Sequence, residues 1–195
     1  MRISLRRVSA EARACRRCVR ALEPNPVFRA GTRARLLIVG QAPGRRVHET
    51  GIPWNDPSGD VLRDWLALDR ETFYDTSHIA IVPVGLCYPG TEDGADLPPM
   101  PECAPRWQPR FRAALPRIAL TLLVGSYAQK YYLGARRKAS LTDTVHAFRD
   151  YLPEFFVLPH PSWRNLMWRR RNPWFEREVL PELRRRATAI IARPT

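Results

Sequence analysis

The sequence predicts an α/β fold: a three-layer α/β/α sandwich around a central four-stranded parallel sheet. Three observations predict it. Four short runs, at 35–39, 78–84, 119–124 and 155–158, are rich in Val, Ile, Leu and Phe and carry few charges. Strands covered on both faces of a parallel sheet read this way. Helical patterns lie between the runs, and alternation of the two favours a parallel sheet flanked by helices. Finally, 195 residues with no internal repeat and no low-complexity linker suffice for one domain with a sizeable core, so 1–195 is read as a single domain.

The elements follow in order. Residues 1–34 are basic and contain two close cysteines and a Pro-containing connection at 23–26. The first strand, 35–39, ends at Gly40, and a helix is expected over 60–68 before the second strand at 78–84. The stretch 88–106 is turn-rich and longer than an ordinary connection, which marks it as functional or tied down by a ligand. Helices over 107–115 and 127–133 flank the third strand. After the fourth strand, 174–186 reads as a closing helix, with Pro173 suited to its first turn.

Charge narrows the partner. The chain has 32 Lys+Arg against 19 Asp+Glu, a net +13, and Lys130 and Lys138 are its only lysines. A surface of guanidinium forks suits phosphate oxygens and favours a nucleic-acid partner. No apolar run approaches the ~20 residues of a membrane span, and the N-terminal residues lack the apolar core of a secretory signal. A cytoplasmic, nucleoid-associated protein is expected, and cysteines there rarely form structural disulfides.

Two motifs carry the chemistry. Gly40-Gln41-Ala42-Pro43-Gly44 follows the first strand directly, where ligands bind at the carboxyl ends of an open α/β sheet. Its glycines and proline allow a tight turn that brings backbone N–H groups close to a ligand. Thr50-Gly51-Ile52-Pro53-Trp54 comes next, then Asn55-Asp56-Pro57-Ser58-Gly59 before a helix. The second motif, His160-Pro161-Ser162-Trp163-Arg164-Asn165, follows the last strand and leads into the basic run 167–171.

Together these segments resemble the uracil-DNA glycosylase superfamily, closest to its iron–sulfur bacterial and archaeal families. There the first motif runs Gly-Glu-Ala/Gly-Pro-Gly, a charged stretch, then Thr-Gly-x-Pro-Phe, and the second begins His-Pro-Ser. The resemblance implies a monofunctional glycosylase that flips uracil out of DNA and hydrolyses its N-glycosidic bond. It makes Gly40, Gln41, Ala42, Trp54 and Asn55 the substrate-binding residues, with Trp54 the platform on which the base stacks. His160 becomes the donor to the uracil O2, where negative charge develops as the bond breaks. Ser58, Ser162, Trp163, Arg164 and Asn165 are assigned to DNA, with Trp163, Arg164 or Leu166 filling the gap left by the flipped nucleotide.

Four cysteines complete the pattern. Cys15 and Cys18 form a CxxC pair, and Cys87 and Cys103, after the second strand, are separated by 15 intervening residues. The spacing alone admits a redox pair, a zinc site or free thiols. The resemblance implies that all four ligate a 4Fe-4S cluster, with zinc as the alternative.

The sequence departs from the family in two places. The acidic residue that helps place the attacking water, three positions beyond the motif's last glycine, is Val47 here, and the aspartate used by the best-known branch is Ala42. His48 ranks first as a substitute, ahead of Gln41 or backbone carbonyls. The asparagine that reads the uracil edge is replaced by Pro83, which has no side-chain hydrogen bond to offer. Hypoxanthine and xanthine therefore stay open as bases. Two other readings stand beside the leading one: a superfamily member that grips or traps uracil-DNA, hinted at by Arg45-Arg46-Val47-His48, and a zinc-stabilised RNA-binding module. A monomer is expected.

Overall fold

The structure is a computed structural model that describes residues 3–192. Helix α1 (Leu5–Arg13) precedes strand β1 (Leu36–Val39), then α2 (Arg45–Thr50), α3 (Pro57–Leu66), α4 (Arg70–Tyr74) and β2 (Ile79–Ile81). A two-residue-stranded hairpin, β3 (Thr91–Glu92) and β4 (Ala95–Asp96), leads to α5 (Cys103–Ala114) and β5 (Leu120–Val124). Helices α6 (Ser126–Leu133) and α7 (Leu141–His146), strand β6 (Phe155–Leu158), α8 (Leu166–Arg171) and α9 (Leu180–Ile191) complete the order.

The predicted architecture is the one observed. Strands β2-β1-β5-β6 form one sheet with every pairing parallel. All residues of the four strands are buried, which is why they read as continuous apolar runs instead of alternating ones. From β1 the chain crosses to one neighbour, β2, and the later strands add on the other side. The order therefore reverses between β1 and β5, and ligands gather outside the carboxyl ends at such a switch point.

Several elements differ from expectation. The 60–68 helix begins earlier, at Pro57, because Asp56 caps it: its Oδ1 accepts from Gly59 N at 2.8 Å. The 88–106 stretch is not all loop. Asp93 and Gly94 take positive φ, +49° and +72°, and turn β3 into β4, as an Asp-Gly hairpin turn does. At its far end α5 already starts at Cys103. The closing helix is regular only from Leu180; Phe175–Val179 forms a wider π-type turn. Pro181, next in line, has no N–H for the preceding turn, and the helix widens ahead of it.

Candidate active site

The loops after β1 and β6 and the hairpin enclose a cavity of about 450 Å³ at the carboxyl end of the sheet. Its frame is fixed by backbone bonds: Val84 N donates to Gly40 O at 2.9 Å, and Gly85 N to Gln41 O at 2.8 Å. One wall is Pro83. The backbone there is held from behind by the buried Gln108, whose Nε2 donates to Val82 O at 3.2 Å and Pro83 O at 2.7 Å. Tyr132 Oη in turn donates to Gln108 Oε1 at 2.7 Å. An amide buried this deeply is costly unless paired, and here both its ends are.

Trp54 lines the cavity in a left-handed conformation, φ +58°, which bulky residues rarely adopt. Its neighbours hold it there. Arg63 Nη1 donates to Trp54 O at 3.3 Å, and Tyr74 Oη to Pro53 O at 2.7 Å. A Cβ on Gly59 would strike Trp54 O at 1.8 Å, so only glycine fits. Strained backbone maintained by this many contacts is a feature of ligand sites.

His160, at the end of β6, faces Trp54 across the cavity, with ring centroids 5.6 Å apart and planes inclined by 31°. Asn165 Nδ2 donates to His160 O at 2.7 Å and closes the loop on itself. Burial pushes the imidazole below its ordinary pKa, against the opposing pull of Asp56 and Asp96. His160 is therefore neutral at physiological pH and offers one ring N–H as donor.

The structure brings most of the expected residues to this cavity. Gly40, Gln41, Ala42, Trp54, Ser58, His160, Ser162, Trp163, Arg164 and Asn165 all line it. Arg164, however, is turned to the protein: its Nη2 donates to Gly94 O at 2.5 Å, clasping the hairpin. Trp163 is 80% exposed at the rim, beside the exposed Leu166 and Met167.

Two expected residues do not line the cavity. In α2 it is Val47 that faces inward, and His48, one helical step round, packs near Tyr88 with its Nε2 3.6 Å from Glu23. Asn55 is turned outward by the left-handed Trp54, and its Oδ1 accepts from Arg70 at 2.8 Å. The acids that do reach the cavity, Asp56 and Asp96, were missed. Asp56 was legible as an Asp-Pro helix start, and Asp96 only through the Asp93-Gly94 turn that folds the hairpin back.

The family model of the uracil DNA glycosylase superfamily matches residues 28–184, which hold both cavity motifs. The chain belongs to the uracil DNA glycosylase superfamily. Its members are DNA glycosylases, so DNA is the partner that membership brings. A solution NMR structure of a candidate uracil DNA glycosylase from Methanosarcina acetivorans superimposes with a TM-score of 0.50. The identity is 16%, over 82% of this chain and 97% of that one, and the likeness concerns the fold. Among the described residues, no helix is long and apolar enough to cross a membrane.

The superfamily match begins after Cys15 and Cys18 and includes Cys87 and Cys103. All four cysteines line one small cavity between the N-terminal segment and the start of α5. Cys103 Sγ accepts from Leu86 N at 3.3 Å. Burial raises the Cys87 thiol to about 11 and the Cys103 thiol to about 12. Among the described residues, no three His, Cys, Asp or Glu side chains close into a group that could hold a metal ion. The four thiols share one cavity without closing on a common point, and thiolate is the donor type that an iron–sulfur cluster or zinc takes.

Proposed function

We propose that this protein is a monofunctional uracil-DNA glycosylase that flips uracil out of DNA and hydrolyses its N-glycosidic bond in base excision repair. The observation that carries the reading is the meeting of the Gly40–Gly44 loop, Trp54 and His160 on one cavity at the switch point of the sheet. A flipped base stacks on the Trp54 indole, an interaction worth ~1–3 kcal/mol for any base. The neutral His160 donates to the O2 oxygen, and this bond strengthens as the C1′–N1 bond breaks and charge moves onto the ring. Pro83 and the ordered backbone around Gln41 confine the base edge by shape and main-chain groups.

Neither Lys130 nor Lys138 lines the cavity, so neither lysine is placed for a Schiff base, and strand cleavage is not expected. Trp163, exposed at the rim, is the side chain suited to fill the gap in the duplex. His48, turned away, gives no support to covalent trapping. The RNA-binding alternative draws on the charge and the CxxC pair and has no use for the cavity.

Cys15, Cys18, Cys87 and Cys103 would hold a 4Fe-4S cluster, or zinc through the same donors. Either would pin the N-terminal segment to the hairpin region rather than take part at His160. The protein is read as a monomer working at the nucleoid. The deciding experiment is incubation with a uracil-containing oligonucleotide followed by alkali. Strand scission at the uracil position is expected only after alkali, and none with the thymine control; scission before alkali would remove the monofunctional reading.

A further inference from the structure

We infer that Asp96, carried by the β3–β4 hairpin, holds and deprotonates the water that attacks the sugar. This inference rests on the glycosylase reading. It resolves a vacancy in the motifs: neither Val47 nor Ala42 can take a proton, and His48 faces away.

Four observations place Asp96 in that role. It lines the cavity that holds Trp54 and His160. Its Oδ2 lies 3.6 Å from where a Cβ on Gly44 would sit, so the carboxylate covers the last glycine of the first motif. It is close enough to His160 to favour the imidazolium electrostatically. And the hairpin is fastened to both motifs: Arg164 Nη2 donates to Gly94 O at 2.5 Å, and Gln41 Nε2 to Leu97 O at 3.5 Å. Asp56, the other carboxylate on the wall, already accepts from Gly59 N as the α3 cap. Among the described residues the Asp96 side chain accepts only a long 3.4 Å bond, from Thr91 Oγ1 to Oδ1, which leaves Oδ2 for water.

The step balances with these groups alone. The C1′–N1 bond breaks and its electron pair leaves on the uracil ring, where His160 meets the charge at O2. The water oxygen bonds to C1′, and the proton it sheds passes to the Asp96 carboxylate. The uracil anion is later protonated from solvent, and Asp96 returns its proton there. A carboxylate opposite the leaving group also stabilises the oxocarbenium-like sugar.

The test compares D96N, D96E and D93N with the wild-type protein and H160A. Excision from a uracil oligonucleotide is followed in single turnover, and affinity is measured with an uncleavable 2′-fluoro-deoxyuridine oligonucleotide. Losing a proton acceptor should slow D96N on the order of 100-fold or more, with affinity within about threefold. D96E should recover part of the rate, and D93N, at the exposed hairpin turn, should match wild type. Asp96 is exposed, so thermal melting should not change. Normal excision by D96N beside a crippled H160A would overturn the assignment of Asp96 and leave the glycosylase reading intact. Absence of base release by the wild-type protein would overturn both.

Discussion

A Cβ on Gly40 would lie 2.8 Å from Cζ2 of Trp54. The indole edge therefore rests on the backbone of the first motif, and the loop after β1 and the stacking platform are one packed unit. Contacts under 3.0 Å force something to move, and the rigid turn makes Trp54 the part that gives.

Gly40→Ala should consequently tilt the platform. We expect weaker binding of uracil-containing DNA and slower excision, with loss bounded by the ~1–3 kcal/mol of one base stack. Titration with the uncleavable oligonucleotide checks it; unchanged affinity and rate would separate the loop from the platform.

Trp54→Ala removes the platform itself and should lower affinity and rate within the same ~1–3 kcal/mol range. Trp54→Phe should retain most of both. Alanine keeps a Cβ, so the strain at φ +58° stays and the stability cost is that of removing a large, partly buried aromatic. A large drop in melting temperature with normal excision would mark Trp54 as a packing residue.

His160→Ala should slow single-turnover excision on the order of 100-fold or more, by analogy with loss of an oxyanion donor, while DNA affinity stays close to normal. Burial holds His160 below its ordinary 6.5, with Asp56 and Asp96 facing it and opposing the shift. The neutral donor thus survives as pH falls through 6.5, and the acid limb due to this group should lie lower. Stability follows the same sign. An unfolded chain binds the proton first, so this histidine's contribution is complete above 6.5 and declines as pH drops through the window below it. A limb centred above 6.5 would contradict the burial.

Anaerobic purification should give a brown protein absorbing near ~400 nm, with iron and sulfide in equal amount. Stoichiometric zinc without sulfide would leave the four-thiol set and remove the cluster.

How far the sequence could be read depends on where each signal originates. The four strands were legible because burial on both faces makes them uniformly apolar, and Trp54 and His160 because the motifs that carry them, Thr50–Trp54 and His160–Asn165, resemble those of the superfamily. His48 and Asn55 were misplaced by single local rotations: a helical step in α2 and the positive φ at Trp54. No periodicity announces either one. Asp96 was hidden for a different reason. It reaches the cavity through a tertiary clasp between Arg164 and Gly94, a pairing 70 residues apart in sequence.

The Tyr132–Gln108 bond behind Pro83 has a consequence for any pH profile. An amide does not titrate, and burial pushes the Tyr132 phenol still higher. The frame of the cavity is thus electrically silent across the whole range in which an imidazole changes charge. If the choice among uracil, hypoxanthine and xanthine drifts with pH, the drift belongs to the base's own tautomers and to the groups facing it, because the mould itself keeps one shape.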